Sequence, residues 1–230
     1  MSENLWWLQF RTLFMQSLRA DSADRERLLT PFLFATTVLL LFNFAFGDIT
    51  NGLEVYLFIG EVYLTGLLAL QMSYGRIFSP DQQDKVFELL LTHPVHGGAW
   101  FLAKYCMALI YGLMVLVPVI LMSALFFSGA DLNIFYWPVW ATAVLSLMGL
   151  ASLGILLSAL TLKASGREML FPLLYFPLTI PVLLAAIQGS LGFMTESGVN
   201  GWQWLGLLAG FDIIYFTLGI LLFGELTNAS

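Results

Sequence analysis

Tyr105-Cys-Met-Ala-Leu-Ile-Tyr-Gly-Leu-Met-Val-Leu-Val-Pro-Val-Ile-Leu-Met-Ser-Ala-Leu-Phe-Phe127 carries no charged residue. A bilayer's hydrocarbon core, about 30 Å thick, takes about 20 apolar residues of helix to cross. Three further windows, 28–47, 132–162 and 169–195, are equally free of charge. The whole chain of 230 residues is 59% hydrophobic and 10% charged, with a mean hydropathy of +0.85. Soluble domains carry about 25% charged residues. Lipid is therefore the solvent for most of this chain, and the fold class is an all-α integral membrane protein.

Six transmembrane helices are expected, at approximately 30–47, 54–75, 99–128, 136–162, 169–193 and 202–223. The domains read as 1–29, an N-terminal amphipathic interfacial helix with a charged turn; 30–223, the six-helix membrane domain; and 224–230, a cytoplasmic tail. Lysine and arginine set the orientation. Arg11, Arg19, Arg25 and Arg27 precede the first span. Arg76, Lys85 and Lys104 bracket the connector after the second, and Lys163 and Arg167 follow the fourth. The other links hold Asp48, Asp131 and Glu196 and no positive residue. This asymmetry predicts cytoplasmic N- and C-termini, and an even span count. Tyr136, Trp137, Trp140, Trp202 and Trp204 lie beside the acidic links, as an interfacial aromatic belt does. The acidic start, Met1-Ser-Glu-Asn, lacks the basic region expected of a cleavable signal peptide.

Residues 5–19 show helical periodicity, with Trp6, Phe10, Leu13, Phe14 and Leu18 on one face and Gln9, Thr12, Gln16 and Arg19 on the other. Such a helix suits the headgroup plane. The connector 76–98 reads as a second short helix over 79–92. Ser79-Pro80-Asp81-Gln82 has the pattern of a capped start, and Pro94 disfavours helix in the residue before it. Asp81, Asp84, Glu88 and Thr92 share one face. This helix either rests on the membrane or offers that face to a cytosolic subunit. Acidic residues fit the second better, because the inner leaflet attracts basic segments.

Glu61 and Asp212 fall inside predicted spans, where ionisable residues are costly and mark function. They are intramembrane functional candidates. Gln71 and Gln188 suit interhelical hydrogen bonds. Pro172, Pro177 and Pro181 interrupt the fifth span's hydrogen-bond ladder, predicting a kinked helix and making them hinge candidates. Gly149, Ser152, Gly154 and Ser158 are small enough to allow close helix approach. The lone Cys106 reads as a buried small hydrophobe. No G-x-x-x-x-G-K-[ST] occurs, so nucleotide is not cradled by that route. The only histidines, His93 and His96, lie in the connector, so no catalytic residue or metal site is predicted and no heme ligand set is evident. An intramembrane enzyme would need a catalytic pair or zinc motif that the spans lack.

The string Phe78-Ser-Pro-Asp81-Gln-Gln-Asp84-Lys-Val-Phe-Glu88-Leu-Leu-Leu-Thr-His-Pro94, followed by Ala103-Lys104, resembles the cytoplasmic loop of the heme exporter protein B family (CcmB). Ala159-Leu-Thr161 and Phe176-Pro-Leu-Thr-Ile-Pro181 match a second patch. Pro80, Lys85 and 165–168 depart from the family pattern. The resemblance implies an ABC-2-type permease-like subunit, forming a homodimer clasped by two copies of a separate CcmA-like ATPase, which binds the ATP. It implies no enzyme activity in this chain, which would couple ATP hydrolysis to heme delivery, releasing a heme-loaded CcmE-like chaperone in the periplasm beside CcmC-like and CcmD-like membrane proteins. No cofactor is expected on the chain itself; heme is handled by the complex. Asp81, Asp84, Glu88 and Pro94 would form the coupling interface with the ATPase. The alternative is the permease of a generic ABC-2-type exporter for lipid, glycan or drug.

Overall fold

Alternating apolar stretches and short polar links leave the backbone one way to satisfy its hydrogen bonds in lipid, which is to coil each stretch into helix. The computed structural model describes residues 2–23, 25–46, 53–83, 96–127, 136–162, 164, 166–195 and 198–228. Among them there is no strand. The helices are α1 (Ser2–Ala23), α2 (Arg25–Phe46), α3 (Glu54–Gly75), α4 (Ser79–Gln83), α5 (Gly97–Phe126), α6 (Trp137–Leu160), α7 (Arg167–Met194) and α8 (Gly201–Asn228). Six of these segments are long and apolar enough to cross a membrane: Leu29–Phe46, Glu54–Asp81, Gly97–Phe126, Trp137–Leu160, Arg167–Met194 and Gly201–Glu225.

Helix α6 is the axis of the bundle, packed against α3, α5, α7 and α8. Its inward residues are small, including Gly149, Ala151, Ser152, Gly154 and Ser158, which lets neighbours come close. A Cβ on Gly154 would lie 2.7 Å from the Tyr74 ring of α3, and one on Gly149 would lie 2.5 Å from Asp212 of α8. The small-residue pattern thus marks two close approaches to two different helices. Helix α2 sits at the edge, covering α3 and α5 with Ala35 and Leu39.

Helices α3 and α5 run antiparallel as a hairpin. Their partners lie at mirrored positions along the chain: Glu61 meets Ser123, Tyr74 reaches the Ala108 carbonyl, and Asp81 meets Lys104. Charge divides the bundle's two ends. Arg76, Lys104 and Arg167 lie at one end, called the basic end below. At the other, Tyr136, Trp137, Phe193 and Trp202 form a chain of ring contacts.

Helix α1 docks on α5, and also touches α2 and α4. Its apolar face is the more covered one, with Trp6, Phe10, Leu13 and Phe14 half-buried and Thr12, Gln16 and Arg19 exposed. Gln9 and Ser17 turn inward, whereas Leu18 is exposed. The reason is polar: the Gln9 Oε1 accepts the backbone N–H of His96 at 3.2 Å, just before α5 begins. Helix N-termini leave N–H groups without intrahelical partners, and Gln9 supplies one.

The α5 start also depends on a glycine. A Cβ on Gly97 would run into the backbone carbonyl of Phe223 and lie 2.8 Å from the Gly224 nitrogen. Backbone cannot swing aside as a side chain can. Gly97→Ala is expected to cost about 1–3 kcal/mol, as overpacking does, by prying α8 from α5. Loss of the detergent-solubilised protein's monodispersity at a lower temperature than wild type checks this.

Candidate functional site

Where α3 leaves its last turn, a short turn at residues 76–78 leads directly into α4, which begins at Ser79. The Ser79 N–H donates to the Arg76 carbonyl at 3.0 Å. This brings Phe78 and Asp81 back over the start of α5. There the Lys104 Nζ lies 2.9 Å from Asp81 Oδ1 and 2.7 Å from Oδ2. It donates also to the Ser17 Oγ of α1 at 3.2 Å. The ammonium's hydrogen bonds go to Asp81 Oδ1 and the Ser17 Oγ, while Oδ2 adds a charge contact. Its charge lies 5.5 Å from the Phe78 ring centroid.

The group is desolvated. Lys104 is 3% exposed, Asp81 8% and Ser17 7%. Aromatic rings wall it in: Phe78 contacts both Trp100 and Phe223, and Trp100 contacts Phe223 in turn. A buried ion pair adds little net stability, but removing one partner is severely destabilising, which gives such pairs a role in fixing register. Here the pair fastens three elements at one point: the connector's start, the third span and the N-terminal helix.

A second tie lies at the same end. Arg167, at the start of α7, donates to the Gly75 carbonyl at 2.9 Å and to the Ser158 Oγ at 3.2 Å. It joins the ends of α3, α6 and α7.

The residues singled out from sequence are placed as follows. Asp81 does not stand on an open acidic face; its carboxylate turns into the protein onto Lys104. Asp84, Glu88 and Pro94, with most of the expected 79–92 helix, lie outside the described residues. Pro172, Pro177 and Pro181 lie inside α7, which continues as helix through all three. Glu61 and Asp212 are both buried but do not meet. Glu61 on α3 accepts from the Ser123 Oγ of α5 at 2.9 Å. Asp212 on α8 lies against Gly149 of α6, and neither of its carboxyl oxygens has a hydrogen-bond partner. Among the described residues, no three His, Cys, Asp or Glu side chains gather as a metal site would need.

The roles of Ser17 and Arg167 were not found from sequence, and Lys104 was placed as a boundary and as part of the family-like string, without its partner Asp81. The available signal was Lys104 itself, a cation in the first two turns of an otherwise charge-free helix.

This arrangement ties α1, α4 and α5 together at one end of the bundle. Comparison with curated proteins gives no match. The family model described as CcmB protein matches residues 8–225, from within α1 to within α8. The chain therefore belongs to the CcmB family and is a membrane component of the heme-exporter ABC system of cytochrome c maturation, whose ATPase is a partner of the complex.

Proposed function

We propose that this chain is the permease-like subunit through which a separate ATPase drives heme delivery, releasing a heme-loaded chaperone on the far side of the membrane. The Asp81–Lys104–Ser17 joint is the observation that carries this reading. The connector leaves α4 two residues after Asp81. A force applied there pulls on Asp81, and through the buried ion pair on α5 and α1 together. Positive residues favour the cytoplasmic side, which puts the joint and both termini on the side where ATP is hydrolysed. The chain acts as a homodimer in the bacterial inner membrane, clasped by two CcmA-like subunits, with CcmC-like and CcmD-like proteins beside it. In this reading ATP is bound and hydrolysed by the partner subunit, because the chain has no phosphate-cradling loop of the Walker type.

Tagged chain is expected to capture the ATPase subunit from detergent extract. Reversing the charge at Asp84 and Glu88 together is expected to reduce that capture several-fold, while the protein still elutes as a folded complex. Undiminished capture would take the connector's acidic residues out of the interface.

A further inference from the structure

Most buried polar side chains in the bundle are matched within the chain. Among the described residues the buried threonines are Thr65, Thr142, Thr161 and Thr179. Thr142 donates to the Pro138 carbonyl, Thr161 to that of Leu157 and Thr179 to that of Phe176. This donation to a carbonyl one turn back is the usual resting place of a helical hydroxyl. Thr65 does not make it. Its Oγ1 is buried without any partner, although the Glu61 carbonyl is the acceptor its position offers. Glu61, one turn earlier on the same face of α3, is 2% exposed. Its Oε2 accepts from the Ser123 Oγ, and its Oε1 has no partner.

Among the described residues, nothing nearby balances the carboxylate's charge. Glu61 is seven residues along α3 from Glu54, about 10 Å at the helical rise, in the half away from the basic end. Among the described residues α2, α5, α6 and α7 bring no charged side chain to that half. The other titratable groups there on α3 are Glu54, Tyr56 and Tyr63, and the Tyr63 hydroxyl is engaged with the Ser190 Oγ at 2.9 Å.

We propose that the Glu61 Oε1, the Thr65 Oγ1 and the Ser123 Oγ form a binding site for one monovalent cation, a proton or a sodium ion. The donors are hard oxygens, and a single carboxylate matches a single positive charge. Calcium would draw six to eight oxygens, several of them carboxylate. A glutamic acid with a permanent structural proton would direct its O–H at an acceptor, and the Thr65 hydroxyl is within one turn. The arrangement instead leaves both groups unmatched. The site does not depend on the heme-delivery reading and lies in the middle of α3, away from the ion-pair joint.

Dicyclohexylcarbodiimide modifies carboxyl groups that carry a proton in apolar surroundings. Native membranes containing the full chain and its partners are treated with it across a pH series, in choline chloride and in sodium chloride at equal ionic strength. Mass spectrometry then reads the peptide bearing Glu61. The expected result is labelling of Glu61 that falls several-fold as pH rises. Suppression by sodium at constant pH assigns the ion as sodium, and suppression by pH alone assigns it as a proton. Thr65→Val, which keeps the side chain's shape, is expected to shift whichever response is seen. No labelling of Glu61 at any pH, labelling indifferent to both pH and sodium, or an unchanged response in Thr65→Val overturns the proposal.

Discussion

Lys104→Met is expected to destabilise the protein by about 3–5 kcal/mol, the size of effect seen when one member of a buried pair is removed. Methionine fills the space among Phe78, Trp100 and Phe223 about as well as the lysine stem, so packing is not the main loss. The loss is electrostatic. Asp81 stays in place, 8% exposed, without the Lys104 ammonium against it, and the Ser17 hydroxyl loses its donor. The carboxylate must then draw in water or take up a proton, and either loosens α4 and α1 from α5. Adding Asp81→Asn to Lys104→Met is expected to recover much of the stability, because a neutral, shape-matched pair replaces a broken charged one. Thermal inactivation of the purified complex, compared across wild type, both single variants and the double variant, measures this. A Lys104→Met protein as stable as wild type would show that the ion pair does not fasten the connector.

Stability and function should then separate. The double variant is expected to fold and to retain the ATPase subunit, yet to support less heme delivery than wild type. A neutral amide beside a thioether transmits force less well than an ammonium held at 2.7–2.9 Å by a carboxylate.

The membrane fold was legible because lipid leaves few choices. Uncharged windows such as 105–127 have to be helices, and the distribution of nine Lys and Arg residues orders their ends. The joint was less legible. Helical periodicity puts Asp81 on one face with Asp84 and Glu88, which suggests an outward acidic stripe. The partner that turns Asp81 inward is Lys104, twenty-three positions along the chain, and no local pattern reports a contact at that range. Helix α1 was legible in part. Its apolar residues mark one face, but docking is decided partly by Gln9 and Ser17, each of which meets a specific group on α5 or at its start. For Glu61 and Asp212 the sequence shows costly residues in lipid and nothing more. Only the packing separates Glu61, which accepts a hydroxyl at one of its two oxygens, from Asp212, which sits in the space left by Gly149.

Heme attachment to c-type cytochromes is the most direct readout of the whole account. In a strain lacking this chain, holo-cytochrome c should fall to background while apo-cytochrome still reaches the periplasm. The wild-type gene should restore it, and the Asp84/Glu88 charge-reversed form should restore it poorly. Normal holo-cytochrome c in the deletion strain would contradict the heme-delivery role outright.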